Sequence, residues 1–191
     1  MDSFEAFDRA VAFTAGVVKG VRADQVEVPT PCTEWTVAAL LNHLVGTLWL
    51  AAGLLADRPP RHALAPGGLP AVDLVGGDPA AAYAEAAAAA LAVAGAGDAL
   101  VRTHATPLGA MPGPLLAGFT TLDIAVHGWD LATATGQDAD LDGDLATHLL
   151  AFAQQSLADD ASRAGRIGPA IPIGTDAPAT HRLVAYLGRR P

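Results

Sequence analysis

Residues 114–136 read PLLAGFTTLDIAVHGWDLATATG, and large apolar residues recur in this stretch at intervals of three and four. This spacing predicts an amphipathic helix that spans the whole quoted stretch. A helical projection at about 100° per residue places five large apolar side chains in one arc: Leu115, Leu116, Phe119, Leu122 and Val126. Asp123, His127 and Asp130 fall in the same arc, so the face that should meet the core carries two carboxylates and an imidazole.

These polar groups predict a metal site. A buried carboxylate is unfavourable unless it is paired or coordinates an ion. Asp123 and His127 are i, i+4 neighbours, close enough to bind one ion together. A third ligand is needed, and His43 is the leading candidate, because it lies mid-helix at the border of an apolar stripe in LLNHLVG. Three protein ligands would leave positions open for water or substrate, as in catalytic zinc sites. Zinc is the expected ion, and nickel, iron or another first-row divalent metal suits the same ligands.

The same pattern also fits a buried polar network without an ion. Asp123 and His127 would then pair with each other or with an arginine. Asp130 lies one turn from His127, and it either orients that imidazole behind a metal or caps or pairs structurally. We expect Trp129 to pack rather than to take part in the site.

Three residues outside this helix also have side chains with functional chemistry. Arg102 is a candidate for binding an anionic substrate, although a solvated arginine is the commoner case. His104 follows a β-like stretch and could approach the metal, but we expect it at the surface. Cys32 precedes a helix N-terminus, where the pKa of a thiol can fall. The sequence shows no base near it, so a buried structural cysteine is the favoured interpretation.

Bulk properties narrow the class of protein. A length of 191 residues predicts one domain over residues 1–191, with enough chain for a substantial core. The net charge of −9 argues against a nucleic-acid or anionic-membrane partner and leaves small molecules as the expected ligands. A single cysteine excludes an internal disulfide and favours the cytoplasm. The N-terminal sequence MDSFEAFDRA lacks the basic start and apolar run of a signal peptide.

Residues 37–56, VAALLNHLVGTLWLAAGLLA, have no formal charge and the length of a membrane span. Asn42 and His43 lie near the middle, where polar groups are unfavourable in lipid, and no basic cluster flanks the stretch. The central helix of a soluble bundle is therefore the better interpretation.

Periodicity and capping residues predict helices along the rest of the chain. The first begins at the cap Asp2 and ends at Gly20, and its core face is Phe4, Phe7, Val11 and Val18. The second helix spans Trp35–Ala56, with Thr33 as its cap, and Asp78-Pro79 opens the third. Three more helices are predicted over 114–136, 142–157 and, as a short one, 178–187. Pro/Gly-rich loops are predicted over 57–77 and 101–113, the second with an extended excursion. The result is an all-α antiparallel bundle with long connections.

Three segments together resemble a known family: TPCTEWTVAALLNHLVG, LDIAVHGWDLATATGQ and DAPATHRLVAYLGRRP. Over nearly its full length the chain is similar to the mycothiol-dependent maleylpyruvate isomerase N-terminal-like family of the DinB superfamily. Within that family it looks like the uncharacterised actinobacterial metal-binding branch. The resemblance implies a DinB-like four-helix bundle with a short C-terminal helix, frequently a homodimer. It also implies that His43, Asp123 and His127 hold the metal, with Asp123 where the isomerase has Glu. The isomerase has a C-terminal domain that contributes to its active site, and we expect no counterpart of it here, so we do not expect maleylpyruvate isomerisation itself.

The resemblance implies a metal-dependent S-transferase or isomerase that uses mycothiol as cosubstrate on a small electrophile. The open metal position would lower the pKa of the thiol, and the thiolate would attack an electrophilic carbon. One alternative is a metal-dependent hydrolase in which metal-bound water is the nucleophile. Others are a non-catalytic metal-binding stress protein and a purely structural helical domain.

Overall fold

A computed structural model describes residues 1–62, 64–65, 67–107, 109–163 and 167–191 of the chain. The described chain is mostly helical and contains a small two-stranded sheet. Its elements are α1 (Ser3–Gly20), a 3-10 helix (Ala23–Gln25), α2 (Val37–Leu55), α3 (Pro79–Ala94), β1 (Thr103–Thr106), β2 (Gly109–Pro112), α4 (Gly113–Thr135), α5 (Gly143–Ser156), α6 (Asp160–Arg163) and α7 (Ala179–Tyr186). The chain divides into two compact units, a larger one of residues 2–139 and a smaller one that contains residues 140–191.

Helix α4 runs through the core of the larger unit. In this unit α1 contacts both α3 and α4, and α2 contacts the same two helices. From Thr120 to Ala132 every residue of α4 is buried except Asp123, which is half-buried. Because α4 is enclosed on nearly all sides, its polar side chains must find partners inside the protein or face a solvent opening.

The boundaries of α4 agree with the predicted stretch to within one residue. Pro114 lies in the first turn, where its missing N–H has no intrahelical role. The helix ends at Gly136, which adopts a left-handed conformation with φ of 69°. A glycine takes this backbone conformation without the steric penalty of a side chain.

The start of α2 differs from the prediction, since the capping residue is Thr36 rather than Thr33. The hydroxyl of Thr36 accepts a hydrogen bond from the backbone N–H of Ala39 (3.3 Å). An antiparallel bridge between Pro29 and Thr36 closes the preceding segment into a turn, so the residues before Thr36 cannot be helical. The helix therefore begins at Val37.

Helix α1 begins as predicted, with Asp2 accepting from the backbone N–H of Glu5 (2.8 Å). Its predicted core face is wrong at Phe4, whose exposed fraction is 39%. Phe4 lies in the first turn, where its ring edge meets the C-terminal end of α3 at Gly95 while the remainder faces solvent. The other three predicted core residues of α1 are buried.

The predicted extended excursion forms a hairpin in which β1 pairs antiparallel with β2. The expectation that His104 is at the surface is wrong, because this β1 residue is only 1% exposed. Its Nδ1 lies 3.0 Å from a carboxylate oxygen of Asp57 and its Nε2 donates to the carbonyl of Ala99 (2.7 Å). Both ring nitrogens thus have partners inside the protein, which allows burial. Leu108, within the predicted excursion, lies outside the described residues.

Among the described residues, α2 is the helix that is long and apolar enough to cross a membrane by length and composition. Most of its apolar window is buried within the protein, and the core helix of a soluble protein passes the same test. The fully buried Leu40, Leu44 and Leu48 mark the side of α2 that packs inside the unit.

The smaller unit contains α5 and α7, which pack against each other, and the short α6. The backbone N–H of Leu141 donates to the hydroxyl of Thr180 (3.1 Å), and the hydroxyl of Tyr186 donates to the carbonyl of Leu157 (2.9 Å). α5 and α7 agree with the predicted helices, and the short α6 lies in the segment between them, for which no helix was predicted.

Candidate metal centre

Two helices bring three potential metal ligands together. His43 projects from α2, and Asp123 and His127 project from α4. One ligand atom from each residue lies within 4.8 Å of the others. Nε2 of His43 is 2.9 Å from Oδ2 of Asp123, and Nε2 of His127 is 3.6 Å from Oδ1 of the same carboxylate. All three residues expected to hold a metal therefore converge on one point.

The partner of its other ring nitrogen fixes the orientation of His43. Nδ1 of His43 lies 2.7 Å from the carbonyl oxygen of Gly68. A carbonyl oxygen can only accept a hydrogen bond, so Nδ1 must carry the proton. In a neutral ring the lone pair then belongs to Nε2, which faces Asp123.

The orientation of His127 is fixed in a parallel way by a carboxylate. Nδ1 of His127 donates to Oδ2 of Asp130 at 2.9 Å. Asp130 has an exposed fraction of 0%, and it lies three residues further along the same helix. A buried carboxylate that accepts from one ring nitrogen of a histidine fixes the orientation of the ring and keeps the proton on that nitrogen. Of the two roles considered for Asp130, this geometry matches the orienting one.

The carboxylate of Asp123 is the most open part of the cluster, with 33% of its side chain exposed. The hydroxyl of Thr47 donates to its Oδ2 (3.2 Å). Burial alone would raise the pKa of Asp123, but the neighbouring His43 and His127 and the hydrogen bonds from His43 and Thr47 hold it well below its usual range. The group is therefore an anion at neutral pH.

The carboxylate of Asp123 in turn raises the pKa of His43. Burial is the largest single influence and lowers the pKa of His43. The charge of Asp123, its hydrogen bond and the hydrogen bond to Gly68 together outweigh burial, so the pKa lies above the ordinary value of 6.5. The contact between His43 and Asp123 therefore favours the protonated imidazole in the metal-free protein.

The donor set fits a divalent cation. Two imidazoles each turn Nε2 toward one ionised carboxylate, and the two Nδ1 atoms are already engaged behind the site. If both rings are neutral, their lone pairs and the carboxylate oxygens all face one another, and only positive charge between them relieves the repulsion. Two imidazole nitrogens and one carboxylate oxygen are the usual donors for zinc and other first-row divalent metals.

Trp35 borders the cluster and has no counterpart in the sequence prediction. Its ring centroid lies 4.6 Å from that of His43 and 5.4 Å from that of His127. The two imidazoles are themselves 4.8 Å apart, edge to face. Trp35 comes from the turn before α2, and nothing in its local sequence indicates this contact. Thr47 was also missed, although its i+4 spacing from His43 on a helix could have identified it.

The structure places Arg102 in a different group of residues. Its guanidinium pairs with Asp57 and Asp98 and donates to the carbonyl of Leu55 (2.9 Å). Cys32 is half-buried in the turn that precedes Trp35. Its carbonyl accepts from the backbone N–H of Trp35 (2.8 Å), so it contributes to the shape of this turn.

Comparison with known proteins relates the chain to a family. Residues 7–132 match the family model described as the mycothiol maleylpyruvate isomerase N-terminal domain. Two uncharacterised Mycobacterium tuberculosis proteins, from strains CDC 1551 and H37Rv, are each 36% identical over 195 residues. The alignments cover 99% of this chain and 98% of each relative. No solved structure shows a significant match. The matched residues include all three potential ligands.

Proposed function

Since the chain belongs to the mycothiol maleylpyruvate isomerase N-terminal domain family of the DinB-like superfamily, we propose that it is a metal-dependent enzyme that joins mycothiol to a small electrophile. The observation that carries the proposal is the convergence of His43, Asp123 and His127 on one point. The family match supports the thiol as cosubstrate, and the mycobacterial relatives support an actinobacterial setting.

These three residues would hold the ion, with zinc as the first choice. When bound, the divalent cation would supply Lewis acidity that brings the pKa of a thiol into the neutral range. Asp130 and the Gly68 carbonyl keep both Nδ1 protons behind the site, so that both Nε2 lone pairs point forward. Thr47 holds one oxygen of Asp123, and Trp35 covers one side of the two imidazoles.

In the proposed S-transfer the sulfur of the thiol forms a bond to an electrophilic carbon while the bond from that carbon to its leaving group breaks, and the thiol proton passes to solvent. In the alternative isomerisation the sulfur adds to a conjugated double bond, whose electron pair moves onto the attached carbonyl. After rotation about the resulting single bond, the pair returns and the sulfur–carbon bond breaks, which releases the thiolate unchanged. Arg102 is proposed to meet an anionic group of the electrophile, for which its pairing with Asp57 must open.

The proposal extends to the setting of the site. The contacts of α1 and α2 with both α3 and α4 support a DinB-like four-helix bundle, carried by one functional domain over residues 1–191. We place the protein in the cytoplasm, acting on small molecules without nucleic-acid or membrane partners, because of its net charge of −9 and its single cysteine. A homodimer is proposed from the family resemblance.

The test combines metal analysis with a thiol-dependence assay. Wild-type protein, His127→Ala and the control His148→Ala, which alters a half-buried histidine of α5, are purified without a tag and reconstituted with zinc, nickel or iron. We expect about one ion per chain in the wild type and in the control, and loss of the ion in His127→Ala. Turnover of monochlorobimane, a small alkyl chloride that fluoresces on S-alkylation, is then measured with mycothiol, with cysteine and without thiol.

A rate that requires both the ion and mycothiol supports the proposed function. Hydrolysis of ester or amide substrates without thiol would favour the hydrolase instead, since the nucleophile is then water. Bound metal without turnover by either route would indicate a non-catalytic metal-binding protein. If no preparation binds metal, the three residues form a structural polar network and the enzyme proposal fails.

A further inference from the structure

The two histidines of the centre differ in what stands behind them. His127 is held by Asp130, three residues away on the same helix, so its support is as rigid as α4 itself. His43 is held by the carbonyl of Gly68, which lies 25 residues along the chain in the connection between α2 and α3. One ligand of the centre thus depends on a loop.

The supporting loop segment has its own internal structure. Residues 64–70, called here the 64–70 turn, are described except for Pro66. Leu64 and Pro70 form an isolated antiparallel bridge, the backbone N–H of Ala65 donates to Leu69 (2.8 Å), and the N–H of Gly68 donates to Ala65 (2.9 Å). Gly68 has a φ of +86°, a conformation that glycine adopts without strain, and this directs its carbonyl to His43.

The turn lies directly against α2 and Trp35. A Cβ added to Gly46 of α2 would lie 2.7 Å from Cγ of Pro70 and 2.8 Å from Cδ2 of Leu64, so only a glycine lets the turn approach the helix this closely. A Cβ added to Gly68 would lie 3.4 Å from the Trp35 ring and 3.6 Å from Cε1 of His43. The turn is therefore in van der Waals contact with the edge of the centre.

We propose that Gly68 is a positioning residue of the metal centre, and that closure of the 64–70 turn and occupancy of the centre stabilise each other. The carbonyl of Gly68 selects the tautomer of His43 that has the proton on Nδ1, so the lone pair of Nε2 is available to bind the ion. A turn that moves away leaves Nδ1 without this partner and frees the ring to rotate. By linkage, an ion bound between α2 and α4 favours the closed turn by the same factor by which the closed turn favours the ion. The inference rests on the metal centre of the proposed function and not on its thiol chemistry.

A pair of glycine variants in α2 tests the coupling. Gly46→Ala forces the 64–70 turn off the helix without altering a ligand or any residue that bonds to one. Gly53→Ala is the matched control, because its Cβ would lie 2.5 Å from Cα of Pro60 and displaces a different part of the same connection. Zinc affinity is measured by competition with a chromogenic chelator, and the ligand set is followed by the visible spectrum of the cobalt form.

We expect Gly46→Ala to weaken zinc binding by about 10-fold or more, the usual effect of removing support behind a ligating histidine, and to change the cobalt spectrum. Gly53→Ala should lose thermal stability while keeping the wild-type affinity and spectrum. Equal zinc affinities in wild type and Gly46→Ala would overturn the coupling while leaving the proposed function intact. Absence of zinc binding in the wild type itself would overturn both.

A second measurement needs no variant. Amide hydrogen exchange of Ala65 and Gly68 is compared in the zinc-bound and zinc-free wild type, with the Gly76 amide, bonded to Asp73, as an internal control outside the turn. We expect zinc to slow exchange at the two turn amides and to leave Gly76 unchanged. Exchange that is unaffected by zinc at all three amides would contradict the inference even if Gly46→Ala fails to fold.

Discussion

Asp130 is a single buried residue that orients one of the proposed ligands, His127. A carboxylate with no solvent exposure is unfavourable unless it is hydrogen-bonded, and Asp130 accepts from Nδ1 of His127. The same bond holds the imidazole with Nε2 toward Asp123. Replacing Asp130 with the neutral asparagine of the same shape therefore isolates the contribution of its charge to zinc binding by His127.

Asp130→Asn is expected to weaken zinc binding by about 10–100-fold, because a neutral amide is a weaker acceptor for the Nδ1–H of His127 and holds the ring less firmly. Chelator competition gives the affinity, and the helical circular dichroism verifies the fold. Asp144→Asn, at an exposed position in the first turn of α5, is the control and should bind zinc as the wild type does. An unchanged affinity in Asp130→Asn would mean that Asp130 only packs.

The pKa shifts of His43 and Asp123 predict a pH dependence of the metal-free protein. A folded pKa raised above 6.5 means that protonated His43 stabilises the native state fully below 6.5 and loses this effect as pH rises through the folded pKa. A folded pKa lowered below 3.8 means that ionised Asp123 stabilises the native state above 3.8 and loses this effect as pH falls through the folded pKa. The pair contributes most between these two ordinary values.

The measurement is the difference in Tm between wild type and His43→Gln in the presence of a chelator. We expect the largest difference between pH 3.8 and 6.5 and a decrease above the raised pKa of His43. A difference that grows with rising pH would have the wrong sign and would show that His43 is neutral in the metal-free protein.

The site residues that could be predicted from the sequence are those that lie close to each other along the chain. Asp123 and His127 are four apart on one helix, so their proximity follows from helical geometry alone. Trp35 and Gly68 reach the centre through the shapes of two loops, and no spacing rule connects either with α4. His104 was misplaced for the same reason, because its partner Asp57 belongs to a distant part of the chain.

The close packing of the two helices α1 and α4 depends on Gly128. A Cβ there would collide with the hydroxyl of Thr14 and lie 3.0 Å from the ring of Phe13. Thr14 also donates to the carbonyl of Ile124 (3.0 Å), which ties the two helices together. α4 carries two of the three ligands, so this packing contact also sets their position.

Gly128→Ala is expected to destabilise the protein by about 1–3 kcal/mol, the usual effect of overpacking a core contact. Gly16→Ala on α1 is the matched control, since its Cβ meets nothing within 4 Å. It should stabilise the helix by about 0.5–1 kcal/mol. Urea denaturation of both variants gives the free energies of unfolding, and changes of the same sign would contradict the proposed packing.

Helix boundaries could be predicted where the residues at both ends have strong backbone preferences of their own. Pro114 and Gly136 define α4 because each suits its position through its own backbone preference. The start of α2 was misplaced because Thr33 and Thr36 are both acceptable caps. The choice between them is made by the bridge to Pro29, which local sequence does not reveal.

For the whole molecule, the proposed function links metal binding to stability. The complete set of proposed ligands requires α2 and α4 to be packed together, so a cation held there would bind the native state in preference to the unfolded chain. The helical class of the fold was predictable from periodicity, whereas the division into two compact units left no mark in composition.

Zinc at about 100 times its Kd should stabilise the protein by about 2.7 kcal/mol, which corresponds to a rise in Tm of about 5–11 °C for a chain of this size. Differential scanning fluorimetry with zinc and with excess chelator measures the shift. His127→Ala should show no such rise. A rise of equal size in the variant would mean that zinc binds elsewhere.

The 80-residue separation between His43 and Asp123 also dictates an order of events during biosynthesis. At about 5–20 residues per second, a ribosome exposes His43 roughly 4–16 s before Asp123 leaves the exit tunnel. The nascent chain therefore passes through a period in which a lone imidazole is present and no complete site exists. In the proposed function, metal loading would therefore be a late step of maturation that follows the docking of α4 against α2.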